Sequence, residues 1–385
     1  MDTGFVVRCD YPLPIPGHVI TTSSCRRREY SIRVVADEAS ALDAITAEIG
    51  DVSAVVVTDD VVAELHAGRI VSALAARGLR ISTLAIPSGE RSKSLPVACH
   101  LLDELASGHI GRRDIVLAVG GGMINDTAGW VASSYMRGIP YINVPTTLLA
   151  QVDAAIGGKV AVDHESGKNL IGAFYEPQAV ISCTSYLATL DMRQICAGLA
   201  EAIKMAVISS RELFDFIEKN VTRLLHMDPA SLQMLVHSAS VLKCALVERD
   251  PYEQDLRRPL NLGHTVGHAV ETATGYGPVL HGEAVALGTA VALRIACSRG
   301  LIDEWIAARI VALLSAARLP VLSRDLAKVP TDHEIIRALA KVRQVRGGSL
   351  RFVLPAAIGT CVIVDDVTED EIRAALHASA AARSR

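Results

Sequence analysis

Aromatic residues are scarce in this chain, at 4% of its 385 residues, and neither sign of charge prevails. There are 38 Lys and Arg against 42 Asp and Glu, a formal net charge of −4. Without a basic excess, nucleic acid is excluded as the main partner, because phosphate-backbone binding needs clustered cations. Any anionic ligand must be met by a few placed cations. The eight cysteines (Cys9, Cys25, Cys99, Cys183, Cys196, Cys244, Cys297 and Cys361) include no CxxC pair. That excludes a zinc knuckle and a disulfide frame, and predicts buried thiols in a reducing cytoplasm. The first ten residues have an acid and no apolar core, so they do not read as a signal peptide. The most apolar helical stretch, Ala284–Cys297, is cut by Arg294 and is shorter than the ~20 residues a bilayer needs. The expectation is a cytoplasmic protein with no membrane partner.

What is present is ordinary globular composition: 50% hydrophobic, with 28 Gly and 15 Pro. At about 100–200 residues per domain, the length predicts two domains with their own cores. Residues 1–28 read as an extension that ends in the solvated run Arg26-Arg27-Arg28. Residues 29–192 alternate strands with helices. Ser53–Thr58, Ile81–Ile86 and Asp114–Val119 are short apolar runs, separated by amphipathic stretches to about Gly78 and over Pro96–Ser107. That alternation predicts βαβ units and a parallel sheet, with ligands outside the strand C-termini. Asp59, Ser88–Lys93 and Gly120-Gly121-Gly122 all fall there. Residues 193–385 read as an all-α domain, with apolar residues at helical spacing over Arg193–Asn220, Pro229–Glu248, His264–Ala273, Gly282–Arg299 and Ile302–Ala317.

The triple glycine follows a strand and opens a helix, a place where backbone N–H groups can approach a pyrophosphate. It is not GxGxxG, and tight packing explains such a turn equally well. Asp59 could bind a ribose hydroxyl or simply cap a helix. More specific is the run with Arg137, Thr146, Thr147, Asp153, Lys159, Lys168 and Asn169, whose cations, hydroxyls and amide suit an anionic, polyhydroxylated ligand. Glu201, His264, His268 and His281 are candidate metal ligands, and a carboxylate with two imidazoles suits a catalytic Zn²⁺ with open positions. His264 and His268 are one helical turn apart, but no glutamate follows the first His, which counts against a metalloprotease.

The run from Gly120 to Val180, Gly198-Leu-Ala-Glu201-Ala-Ile-Lys204 and Leu260-Asn-Leu-Gly-His264 with Leu280-His281-Gly-Glu283 resemble the dehydroquinate synthase family of sugar-phosphate cyclases. The resemblance covers about residues 50–360. It implies an NAD⁺ site in the α/β domain and one divalent metal ion, Zn²⁺ or Co²⁺, in the helical domain. The implied chemistry is transient hydride transfer to NAD⁺, β-elimination of phosphate and intramolecular aldol closure. By resemblance, Glu201, His264 and His281 hold the metal. Asp153, Lys159, Asn169, Lys204, Lys243, Glu253, Arg257, Asn261 and His268 match substrate positions. Arg137 matches an arginine offered to a neighbouring subunit, which implies a homodimer. Cofactor contacts carry over to Asp59, Ser88, Gly89, Glu90, Arg91, Ser92, Lys93, Gly122, Met123, Ile124, Asn125, Asp126, Thr146, Thr147, Lys159, Lys168, Tyr186 and Thr189.

The chain also departs from the dehydroquinate pattern. Val342-Arg343-Gln344 stands in place of Asp-Lys-Lys, Asp163 in place of Asn and Asn125 in place of Gly. Ile203–Ile208, Val345–Arg351, Asp366-Val-Thr368 and the extension are similar to cyclases that act on sedoheptulose 7-phosphate, with Arg258 where those enzymes have an arginine. Lys243, Arg257 and Asn261 keep the dehydroquinate pattern. The expected substrate is therefore a heptulose phosphate, sedoheptulose 7-phosphate, turned into a C7 cyclitol of the 2-epi-valiolone type. The alternatives are a 3-dehydroquinate or aminodehydroquinate synthase, and then a metal-dependent polyol dehydrogenase.

Overall fold

The computed structural model describes residues 29–165, 167–254, 257–345 and 350–377. The expected extension 1–28, Ser166 and the Arg346–Ser349 part of the C-terminal resemblance lie outside them. The first half is built from β1 (Ser31–Val35), α1 (Glu38–Ile49), β2 (Ala54–Asp59), α2 (Asp60–Val62), α3 (Gly68–Ala76), β3 (Ile81–Ile86), α4 (Leu95–Ser107), β4 (Ile115–Gly120), α5 (Gly122–Ser134), β5 (Tyr141–Pro145), β6 (Lys159–His164), β7 (Gly167–Phe174) and β8 (Ala179–Cys183). Six strands form one sheet in the order β1-β8-β5-β4-β2-β3, and every neighbouring pair is parallel. β2 and β4 are buried throughout, which explains their unbroken apolar sequences. Val56 packs with α1 and α3 on one face, while Val55 and Val57 pack with α4 and α5 on the other. From β2 the chain moves outward to β3 and then crosses back to β4 on the far side. The strand order therefore reverses between β2 and β4, where α/β sheets open a ligand crevice. Asp59 and the triple glycine stand at its rim. The Gly-rich segment after Gly157 forms an antiparallel hairpin, β6 with β7, whose Val160 and Val162 pack into the α4–α5 core.

The second half holds α6 (Met192–Ser209), α7 (Arg211–Leu225), α8 (Pro229–Arg249), α9 (His264–Thr274), α10 (His281–Ser298), α11 (Glu304–Ala316), α12 (Asp332–Val345), β9 (Phe352–Ala357), β10 (Thr360–Val364) and α13 (Glu369–His377). Three sequence expectations change here. The helix expected over Arg193–Asn220 is two helices, because Ser210 is extended (φ −153, ψ 111) and its hydroxyl caps Leu213 N–H at 3.1 Å. The half is not purely helical, since β9 and β10 form an antiparallel hairpin packed on α6 and α10. Val342–Gln344, expected in a loop, lies in the last turns of α12. In addition, α8 has the length and hydropathy to cross a membrane, and here it packs against β1, α6 and α7.

Helices α6, α9 and α10 approach closely because glycine lines their contacts. A Cβ on Gly282 would run into the Ala197 carbonyl of α6, and one on Gly288 into the carbonyl of Gly263, the α9 cap. Gly263 itself has φ +78, a left-handed backbone that favours glycine. These contacts set the depth at which Glu201, His264 and His281 face one another. Gly282→Ala should lower stability by ~1–3 kcal/mol, the usual penalty of overpacking, seen as a reduced urea midpoint. An unchanged midpoint would show that α6 and α10 can part freely.

Candidate active site

Glu201 sits midway along α6, which is buried on nearly all sides, and is itself 1% exposed. Its Oε2 meets the Lys204 ammonium one turn on. Among the described residues its Oε1 accepts no hydrogen bond, and it points to His281 Nε2 at 3.6 Å and His264 Nε2 at 3.9 Å. The other nitrogen of each imidazole is occupied: His264 Nδ1 lies 3.1 Å from the Leu262 carbonyl, and His281 Nδ1 lies 3.2 Å from Glu271 Oε2. Those contacts make Nδ1 the donor in each ring and turn both Nε2 atoms toward Glu201. Burial, with Lys204, His281 and His268 nearby, holds His264 well below its usual pKa, so it stays a neutral donor. Glu201 Oε1 and the two Nε2 atoms thus converge with no hydrogen bond to other groups among the described residues, a donor set that fits a divalent cation. His268 joins the same cluster, its ring 5.3 Å from that of His264, with one nitrogen of each of the three histidines within 4.8 Å of the others. The geometry therefore allows three histidines as well as Glu201 with two. The buried Oε1, which accepts no hydrogen bond among the described residues, favours Glu201, because Lys204 meets only the other oxygen.

The nucleotide positions gather at the sheet switch point. Gly121 caps α5 at the end of β4, and Gly122 begins the helix. Asp59 ends β2 and accepts the Val62 N–H at 2.9 Å, so its capping role is real. Burial keeps its pKa above the usual carboxylate value. Ser88 N–H donates to Asp60 at 2.9 Å, and Gly89 turns at φ +97. Arg91 is exposed, whereas Ser92 and Lys93 are buried. Lys93 Nζ reaches Asp126 Oδ2 and Asn169 Oδ1, each at 2.5 Å. Thr146 is buried, and the Thr147 hydroxyl accepts the Ala150 N–H at 3.2 Å. Ile124, Asn125 and Tyr186 have buried side chains beside a partly exposed Met123, so any contact from those three falls to backbone. The Tyr186 ring instead packs tilted against that of His66, which also bonds the Thr189 hydroxyl at 2.8 Å. A glycine-opened helix beside a strand-end aspartate fits a dinucleotide.

The lysines of the cleft each pair with a carboxylate. Lys243 of α8 bonds Asp153 Oδ1 at 2.6 Å and the Asp153 carbonyl. Burial opposes charge on Asp153, yet Lys243 and Lys204 outweigh it and hold this carboxyl far below its usual range. Lys159 pairs with Glu253, which also accepts Asn261 Nδ2 at 2.9 Å. Arg257 is 1% exposed, and its guanidinium donates to the carbonyls of Pro251 (3.1 Å) and Gly157 (3.4 Å). Its buried Nε has no hydrogen-bond partner among the described residues. Arg137 stands apart, exposed at the end of α5 with φ +68. Asp163, singled out as a departure, accepts the Asn169 N–H at 2.8 Å. Sequence reasoning missed Glu271. Its spacing from His264, seven residues on the same helix, was the available signal.

Residues 83–197 match the family model of the 3-dehydroquinate synthase N-terminal domain, and residues 198–341 match that of its C-terminal domain. A 2-epi-valiolone synthase from Actinosynnema mirum is 55% identical over 378 residues, 98% of this chain and 99% of the relative. The chain belongs to the 3-dehydroquinate synthase family. Another member, a 3-dehydroquinate synthase from Desulforamulus reducens, is 44% identical over 320 residues, covering 83% of this chain and 88% of its own. Among solved members, the fold matches the 2-epi-5-epi-valiolone synthase ValA from Streptomyces hygroscopicus subsp. jinggangensis, solved with NAD⁺ and Zn²⁺ bound. Its TM-score is 0.86 and its identity 30%, over 94% of this chain and 99% of that one.

Two variants separate the possible ligand sets of this family member. Glu201→Gln should weaken Zn²⁺ binding by more than the ~10–100-fold typical of losing an outer-sphere partner, measured by chelator competition. His268→Asn should leave one Zn²⁺ per chain. The reverse pattern would establish the three-histidine set.

Proposed function

We propose that this chain is a sugar-phosphate cyclase that converts sedoheptulose 7-phosphate into a C7 cyclitol of the 2-epi-valiolone type, with NAD⁺ and one Zn²⁺ or Co²⁺. The observation that carries the reading is the convergence of Glu201, His264 and His281 across a cation-lined cleft from the glycine-opened helix α5. Full-length identity of 55% to a 2-epi-valiolone synthase supports the substrate choice.

Glu201, His264 and His281 would hold the metal ion, and Asp59 with the residues around Gly122 would hold the nucleotide. When bound, the nicotinamide takes and returns a hydride while the metal acidifies the hydroxyls it contacts. The chain's own residues do the rest. Lys159 and Lys243 supply positive charge for the sugar phosphate, exchanging their carboxylate partners for it, and Lys204 adds its charge while staying beside Glu201. Asn169 and Asn261 offer amides to hydroxyls, and Asp153 and Glu253 set the lysines in place. Glu201 and Lys204, each almost fully buried, keep water from the ligand pair. Over the cycle one C–O bond to phosphate breaks, one C–C bond forms and NAD⁺ is regenerated. We place the enzyme in the cytoplasm as a homodimer, with Arg137 reaching the neighbour's site, and divide the chain at 192/193.

The 44% identity to a 3-dehydroquinate synthase, with Lys243 and Asn261 in the cleft, favours a second reading, in which the substrate is 3-deoxy-arabino-heptulosonate 7-phosphate. Purified enzyme with NAD⁺ and Co²⁺ should release phosphate from sedoheptulose 7-phosphate with flat absorbance at 340 nm. Phosphate release from the heptulosonate alone would establish the second reading, and NADH accumulation would make the chain a polyol dehydrogenase.

A further inference from the structure

We propose that Glu271 is a positioning residue that joins the metal-holding half of the site to the nucleotide-holding half. Glu271 lies on α9 and is 3% exposed. Both of its oxygens are engaged, and the partners belong to opposite halves. Oε2 accepts His281 Nδ1–H at 3.2 Å, on the ring whose Nε2 faces Glu201. Oε1 accepts the Lys168 ammonium at 3.2 Å, from β7 of the sheet half. Lys168 in turn pairs with Glu90 at 2.9 Å, within the loop that follows β3, and lies 4.6 Å from the centre of the Tyr276 ring. One buried carboxylate therefore closes a chain of contacts running Glu90, Lys168, Glu271, His281, Glu201.

A carboxylate suits this place for a chemical reason. Both neighbours are donors, and only a group with two acceptor oxygens satisfies them together. Glutamine of the same size would turn its NH₂ toward either the ammonium or the imidazole N–H. The imidazole contact fixes the Nδ1–H tautomer and raises the basicity of Nε2, while the lysine contact holds β7 against α9. Filling one half should then favour the other. The inference rests on the reading of Glu201, His264 and His281 as metal ligands.

The test uses the full chain with Zn²⁺ and NAD⁺ alone, without substrate. In the wild type, Zn²⁺ should tighten NAD⁺ binding by the ~5–150-fold typical of coupled sites, read by calorimetry. Glu271→Gln should weaken Zn²⁺ by ~10–100-fold, shift the visible band of the Co²⁺-loaded protein and abolish the coupling. Lys168→Met should abolish the coupling while leaving Zn²⁺ affinity unchanged, and it carries the test if Glu271→Gln does not fold. Zn²⁺ binding and coupling unchanged in Glu271→Gln, or coupling retained in Lys168→Met, would overturn the proposal alone. A wild type that binds no Zn²⁺ would overturn the metal-site reading and this proposal with it.

Discussion

A carboxylate buried in an apolar helix pair is the constraint around which this molecule is arranged. An ion taken out of water costs several kcal/mol unless it is paired, and Glu201 has one oxygen against Lys204 and one against two imidazole nitrogens. For that to hold, α6, α9 and α10 must approach until only glycine fits between them, at Gly282 and Gly288. The histidines must also present Nε2, which the Leu262 carbonyl and Glu271 ensure by occupying Nδ1. Packing, tautomer and charge thus solve one problem together.

The cleft follows the same logic at larger scale. Lys243 with Asp153, Lys159 with Glu253 and Lys168 with Glu271 each join the sheet half to the helical half. These pairs keep a chain of near-balanced charge locally rich in cations without leaving any of them bare. An anionic sugar phosphate can displace carboxylates from lysines already in position, at little reorganisation cost. The low aromatic content accords with such a ligand, which is held by charge and hydrogen bonds more than by ring stacking.

Much of the fold was legible because physics writes it locally. β2, β3 and β4 announced themselves as apolar runs ending at Asp59, Ile86 and Gly120. The nucleotide crevice then followed from the parallel arrangement. Less local features were hidden. Ser210 breaks a helix through a hydroxyl cap that looks like any small polar residue in an amphipathic run. The β6–β7 hairpin hides its alternation because polar residues fall in succession, at Asp163-His164 in β6 and Lys168-Asn169 in β7. Glu271 was easy to pass over despite its spacing from His264, because an acid on a helix is usually solvated and its two partners are 103 and 10 residues away.

The central claim is that Glu201, and not histidine alone, completes a divalent metal centre facing the nucleotide crevice. Zinc K-edge X-ray absorption on the Zn²⁺-loaded, full-length protein tests it most directly. The account predicts one zinc per chain with two imidazole nitrogens and one carboxylate oxygen from the protein. A zinc held by three imidazoles with no carboxylate, or a chain that takes up no zinc at all, would contradict it.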